Sequence, residues 1–187
     1  MIGLMSPKHY GLVLSLLVLA LLGRLLPHPP NFTPLLAVAL FGGAMLPRYL
    51  AYGVPLLAMA ASDLLLGYSF DQTSVAIYGS FLAIVGAGRW LAQSRTLGRT
   101  VVAVLGGSLL FYVVTNFAVW LWNTHGMYEH SAADLAQCYI MALPFFRNAL
   151  AGDLVWTAVL FGLYGLAARQ LQFRSTDPEG PMEKSPH

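Results

Sequence analysis

Long apolar runs alternate with short polar or proline-rich segments along this chain, and the pattern predicts six transmembrane helices. A helix needs about 20 apolar residues to cross a bilayer core of about 30 Å. The predicted spans cover residues 10–26, 35–46, 49–67, 74–91, 100–122 and 138–169. The predicted fold class is therefore an all-α membrane protein, with one six-helix transmembrane domain over residues 1–169.

Prolines and small residues mark the limits and the character of these spans. Four prolines between residues 27 and 34 forbid a continuing helix after the first span. The second span is short and rich in alanine and glycine, which allow helix backbones to approach closely in lipid. Pro144 is expected to break or bend the last span, and the polar residues 170–187 are expected to form a disordered cytoplasmic tail.

Composition agrees with a membrane location and removes other classes of function. The chain is 57% hydrophobic and only 10% charged, whereas charged residues make up about 25% of a soluble domain. The net charge of +2 is too small and too scattered to indicate a nucleic-acid partner. The single cysteine, Cys138, excludes an internal disulfide. The lipid bilayer is thus the first predicted partner.

The distribution of lysine and arginine predicts the orientation. With six spans, seven basic residues fall on the side of the N-terminus and the opposite loops contain none. These residues are Lys8, Arg48, Arg95, Arg99, Arg169, Arg174 and Lys184. Because cytoplasmic loops carry the excess of basic residues, both termini are predicted to be cytoplasmic, in the inner membrane of a bacterium.

Polar side chains inside apolar sequence form the candidate site. Topology brings the ends of several spans to one depth near the outer leaflet, and these ends carry His28, Asp63, Tyr78, Asn116, Trp120, Arg147 and Asn148. A charge within a membrane normally faces a partner or a wet cavity. We therefore expect Asp63 to contact either Arg147 or Arg24, and we predict the seven residues as ligand-binding positions.

The polar loop 123–137 carries two histidines and two acidic residues, but their spacing matches no metal motif. These residues are His125, Glu129, His130 and Asp134. No metal ligand, no catalytic residue and no covalent cofactor is predicted. An intramembrane enzyme that uses Asp63 or Asp153 with a histidine remains an alternative, although the sequence has no nucleophile and base at a recognisable spacing.

Four segments carry a resemblance to known proteins: RLLPHPPNFTPLLAVALFGGA, SDLLLG, TNFAVWL and CYIMALPFFRNALAGDL. Over residues 20–168 the chain resembles an uncharacterised family of small bacterial inner-membrane proteins. That family in turn resembles the substrate-binding S components of energy-coupling factor (ECF) vitamin transporters, especially the solitary cobalamin-type, BtuM-like S components. The resemblance implies a six-helix bundle with cytoplasmic termini and a vitamin pocket near the outer face.

The resemblance also implies a function and a set of positions. Aligned by its motifs, His28, Asp63, Tyr78 and Arg147 correspond to the polar positions of a BtuM-like pocket. It implies a binding or uptake protein for a small metabolite such as vitamin B12, another corrinoid or another vitamin, with ECF-type transmembrane and ATPase subunits as partners. The alternative is a structural subunit of a membrane complex, in which Arg147 and Asp63 only neutralise each other.

Overall fold

The computed structural model describes residues 7–123 and 126–176 and folds them into six α-helices. They are α1 (Pro7–Leu25), α2 (Leu35–Met45), α3 (Arg48–Leu66), α4 (Gln72–Leu91), α5 (Leu97–Trp122) and α6 (Ala132–Thr176). The prediction of an all-helical chain with six helices is confirmed. Because α6 continues to Thr176, helix covers the first part of the segment predicted as a tail, and residues 177–187 lie outside the described residues.

Four of the helices are long and apolar enough to cross a membrane. They are α3, α4, α5 and the part Ala132–Gln170 of α6. The apolar parts of α1 and α2, Tyr10–Leu25 and Leu35–Met45, are shorter than a full span. The helices are therefore those of a membrane protein with four candidate spans, where the sequence predicted six.

The short helix α2 lies at the centre of the bundle. Ten of its eleven residues are buried, and the helix contacts all five others. Around it, α1, α3, α4, α5 and α6 follow one another, each in contact with the next. Within residues 7–123 and 126–176 the backbone of α6 approaches neither α1 nor α3. The all-apolar sequence LLAVALFGGAM suits this position, because a helix that is apolar all round has no face for water.

Two glycines allow α2 and α4 to touch through their backbones. A Cβ atom on Gly43 would lie 2.5 Å from the carbonyl oxygen of Val85 and 2.8 Å from the Cα of Gly88. A Cβ on Gly88 would collide with the carbonyl oxygen of Leu40. Only glycine fits at both positions, and this close approach is the kind of packing that holds helices together in lipid.

Helix α6 continues through Pro144 and contacts α5 on both sides of it. The Sγ of Cys138 contacts the carbonyl oxygen of Asn116 at 3.4 Å, and the Ser108 hydroxyl lies 2.7 Å from Asp153 Oδ2. From Asn116 back to Ser108 α5 spans eight residues, whereas from Cys138 to Asp153 α6 spans fifteen. Two straight antiparallel helices would span equal numbers of residues between two contacts. The expected break is therefore wrong: α6 is one continuous helix that contains Pro144, where one backbone hydrogen bond is missing.

Candidate functional site

Three helix ends meet at a group of hydrogen-bonded polar side chains. Arg24, in the last turn of α1, donates from Nη1 to the Ser62 hydroxyl and to Asp63 Oδ1, both at 2.7 Å. The Tyr78 hydroxyl of α4 donates to Asp63 Oδ2 at 2.9 Å. Arg24, Ser62, Asp63 and Tyr78 are called the Arg24 site below. Both oxygens of the Asp63 carboxylate are engaged, so this one residue connects α1, α3 and α4.

Local signals in the sequence place these residues. Helix α3 ends at Gly67, whose φ of 74° lies in the left-handed region that glycine adopts without strain. Helix α4 begins after Asp71, whose carboxylate accepts from the Ser74 backbone N–H at 2.9 Å while the Ser74 hydroxyl accepts from the Asp71 N–H at 3.1 Å. The tight connection between the two helices brings Asp63 and Tyr78 to facing positions.

Exposed aromatic rings form the rim of the Arg24 site. The guanidinium carbon of Arg24 lies 5.9 Å from the ring centroid of Tyr68, within the range of a cation–π contact. The ring of Phe70 packs edge-on against Tyr78, with 5.7 Å between centroids. Tyr68 and Phe70 are 62% and 72% exposed. Large exposed aromatic rings next to a charged pair are suited to contact either a ligand or the membrane interface.

The guanidinium of Arg24 still has donors to offer. Both of its hydrogen bonds leave from Nη1, and among residues 7–123 and 126–176 neither Nη2 nor Nε has a partner. The side chains of Arg24 and Asp63 keep 16% and 23% of their surface exposed. Because Nε–H and one N–H of Nη2 are parallel, this edge can hold a carboxylate or phosphate by two hydrogen bonds.

The other predicted site residues do not join this group. The exposed ring of His28 contacts a backbone carbonyl of its own loop at 2.6 Å. The Asn116 amide donates to the carbonyl of the preceding turn of α5 at 2.8 Å, and the Trp120 ring packs against His130. Arg147 is exposed and has no ion pair within the described part of the chain, and the structure gives the Asn148 side chain no hydrogen bond there.

The expected contact between Asp63 and either Arg24 or Arg147 is therefore confirmed, and its partner is Arg24. The reason is the central helix. Asp63 lies on α3 and Arg147 on α6, and these helices sit on different sides of α2. Topology predicts a similar membrane depth for Asp63 and Arg147, but it does not predict on which side of α2 each residue lies.

A second polar contact lies between α5 and α6. The Ser108 hydroxyl is 2.7 Å from Asp153 Oδ2, and both residues are buried, with 3% and 6% of their surface exposed. Sequence reasoning named Asp153 only as a candidate acid or base. The small residue Ser108, within an apolar run, gave no signal of its own.

The polar loop after α5 is held by ordinary capping contacts. The Asp134 carboxylate accepts from the Ser131 hydroxyl at 2.8 Å and from the Glu129 N–H at 3.0 Å. The His130 ring lies 2.9 Å from a carbonyl oxygen of α5. Among the residues that the structure describes, no three histidine, cysteine or acidic side chains are grouped to hold a metal ion. His125 lies outside those residues.

Comparison with known proteins gives one match. The profile described as "Family of unknown function (DUF6580)" matches residues 6–176, which is most of the chain. No curated protein and no solved structure matches.

Proposed function

Given that the chain belongs to this family of unknown function (DUF6580), we propose that it is a membrane protein that binds a small anionic metabolite at the Arg24 site. The bound group is a carboxylate or a phosphate, held by Arg24. The aromatic rings of Tyr68 and Phe70 cover the rest of the ligand. The four candidate spans place the protein in a lipid bilayer, where such a site opens at one end of the bundle.

The observation that carries this proposal is the unused edge of the Arg24 guanidinium. Asp63 and Ser62 fix the group through Nη1, so Nη2 and Nε are presented in a set direction. A prearranged pair of donors binds with less loss of side-chain entropy than a flexible one. Residual exposure of 16% at the Arg24 side chain leaves a way in for the ligand.

The finer form of the proposal follows the resemblance to S components. In that form the six helices are an S-component-like bundle, both termini are cytoplasmic, and the protein takes up a vitamin or a corrinoid such as vitamin B12. Uptake would require ECF-type transmembrane and ATPase subunits as partners. Vitamins and corrinoids that carry a carboxylate or phosphate are accordingly the first ligands to screen.

Replacement of Arg24 by lysine tests the proposal. Lysine keeps a positive charge for Asp63 but lacks the paired Nη2 and Nε donors. In a thermal-shift screen of anionic metabolites, the wild-type protein should be stabilised by its ligand and R24K should lose that stabilisation. The matched control is R89K, because Arg89 donates from Nη1 to the Leu46 carbonyl in a different part of the bundle.

Three results would count against ligand binding at Arg24. They are equal stabilisation of wild type and R24K by the same metabolite, loss of stabilisation in R89K as well, and no response to any carboxylate or phosphate in the screen. The last result would favour a second function, that of a structural subunit. The observation behind it is that Asp63 is already satisfied by Arg24 and Tyr78, so the Arg24 site would serve only to join three helices.

A further inference from the structure

Asp153 is a buried carboxyl group that the Arg24 site does not use. It lies on α6, which packs against α5 and α2. Its side chain meets the hydroxyl of Ser108. One turn further along α6, Thr157 is 3% exposed and has a hydroxyl without a partner in the described part of the chain. Buried ionisable groups at membrane depth are candidate functional sites, and an orphaned hydroxyl beside one adds a second signal.

The hydrogen atoms at Ser108 indicate the protonation state of Asp153. The Ser108 oxygen lies 2.9 Å from the Val104 carbonyl oxygen and 2.7 Å from Asp153 Oδ2. A hydroxyl has one hydrogen, so it cannot donate to both acceptors. If Asp153 is a neutral acid, it donates to Ser108 and Ser108 donates to the Val104 carbonyl. Each of the two hydrogen bonds then has one hydrogen.

The charges around Asp153 favour the same state. Helix α2 contains no ionisable residue. The segment before α2, whose Phe32 backbone packs against Gly152, contains His28, whose ring contacts the Leu26 carbonyl. Helix α5 contributes Arg99, whose guanidinium stacks on Trp90 with 4.9 Å to the ring centroid, and Tyr112, whose hydroxyl donates to the Tyr139 carbonyl at 2.7 Å. The remaining ionisable residues of α6 with described side chains are Asp134, Cys138, Tyr139, Arg147, Tyr164 and Arg169. Within the described residues none forms an ion pair with Asp153, so an ionised carboxylate would be buried without a counter-charge.

A cavity leads towards this carboxyl group from the end of the bundle where α5 begins. Its volume is about 580 Å³, and its walls include Val104, Leu154 and Thr157. Arg95 lies at the same cavity, where its guanidinium is 6.0 Å from the Tyr164 ring centroid. Asp153 itself does not line the cavity, but Thr157 does, and it lies one helical turn from Asp153 on the same face of α6. The cavity volume is ample for water, which needs polar partners, and Arg95 and Thr100 are polar residues of its walls.

We propose that Asp153 is a proton-binding site that is loaded and unloaded through this cavity. On release, the O–H bond of the Asp153 acid breaks and the proton passes to water in the cavity. The Ser108 hydroxyl then turns its hydrogen from the Val104 carbonyl to the new carboxylate. The proposal is independent of metabolite binding at Arg24 and gives the protein a second site, whose ligand is a proton.

Infrared spectroscopy of the full-length protein in lipid nanodiscs tests the proton site. A protonated aspartic acid has a C=O stretching band that an ionised carboxylate lacks. At neutral pH we expect this band in the wild type and in Asp63→Asn, and its loss in Asp153→Asn. The band should weaken as the pH is raised. If wild type and Asp153→Asn have the same spectrum, or the band never changes with pH while the protein stays folded, the proposal is wrong.

Two further measurements test the proton's route and distinguish a proton from a metal cation. Thr157→Phe, which fills the cavity, should slow the exchange of the Asp153 proton for deuterium, while Ala83→Phe at an exposed position of α4 should not. An unchanged exchange rate in Thr157→Phe would rule out the cavity as the route.

Sodium chloride and N-methylglucamine chloride should leave the band equally strong at fixed pH. A loss caused only by sodium would assign the site to a metal cation and overturn the proposal.

Discussion

Two of the carboxyl groups in the described helices, Asp63 and Asp153, lie in opposite surroundings. Asp63 sits near a helix end, keeps 23% of its side chain exposed, and receives hydrogen bonds from Arg24 and Tyr78. Asp153 is buried between α5 and α6, and among the described residues its side chain has a hydrogen bond only with the Ser108 hydroxyl. A carboxylate with a cation can remain charged at membrane depth, whereas one without a cation is more stable as a neutral acid. The same residue type therefore serves an ion pair at one place and a proton site at the other.

The largest expected effect on the free energy of unfolding comes from removing Arg24, the cation beside Asp63. Arg24→Ala leaves Asp63 without its cation and, among the described residues, with Tyr78 as its remaining side-chain donor. Loss of one partner of a buried ion pair costs about 3 to 5 kcal/mol, and the residual exposure of this pair lowers our expectation to about 2 to 3 kcal/mol. Unfolding in a denaturing detergent would measure the change.

The double variant Arg24→Ala with Asp63→Asn provides the control for that prediction. It also removes the Asp63 carboxylate that has lost its cation, so it should recover part of the stability lost in Arg24→Ala. If the double variant is less stable than Arg24→Ala alone by the full effect of Asp63→Asn, the two side chains act independently and the ion pair does not hold these helices together.

The same substitution at both aspartates contrasts the two regions directly. Asp63→Asn removes the charge that Arg24 needs, and we expect a loss of about 1 to 2 kcal/mol in the free energy of unfolding. Asp153→Asn replaces a neutral acid by a neutral amide that can still donate to Ser108, so we expect a loss below about 0.5 kcal/mol at neutral pH. Equal losses at the two positions would contradict the assignment of opposite charge states.

The smallest effect is expected at the tyrosine of the Arg24 site. Tyr78→Phe removes one hydrogen bond to Asp63 and leaves the ion pair with Arg24 in place, which should cost about 1 kcal/mol or slightly less. Tyr52→Phe is a matched control, because the structure gives that hydroxyl no hydrogen bond among the described residues. A larger loss in Tyr78→Phe than in Arg24→Ala would mean that the tyrosine, and not the arginine, holds Asp63.

Much of the fold follows from one-dimensional signals in the sequence. Apolar length and proline position give the six helices, and the small residues of α2 predict its tight packing. The sequence left two possible partners for Asp63, because the predicted topology gives Arg24 and Arg147 similar depths on α1 and α6. The choice between them depends on which helices flank α2, and neither hydropathy nor charge counts contain that information.

Pro144 shows another limit. A proline removes one backbone hydrogen bond, and whether a helix breaks or continues there depends on what its neighbours offer. The sequence predicted a break or bend at Pro144, whereas α6 runs through it from Ala132 to Thr176. The contact of Ser108 with Asp153 was also not predictable, because a serine hydroxyl in an apolar helix usually donates to a backbone carbonyl of the preceding turn, as Ser108 can to Val104.

The shortness of α2 has a consequence for where water can reach. A helix of eleven residues rises about 16 Å, roughly half the thickness of the hydrocarbon core. The lipid cannot thin to match it, because the other five helices surround it. The remaining depth must be occupied by the connecting segment before Leu35, most of which is exposed. Irregular backbone at that depth is stable only against protein or water, so a hydrated vestibule should extend below the membrane surface at this end of the bundle.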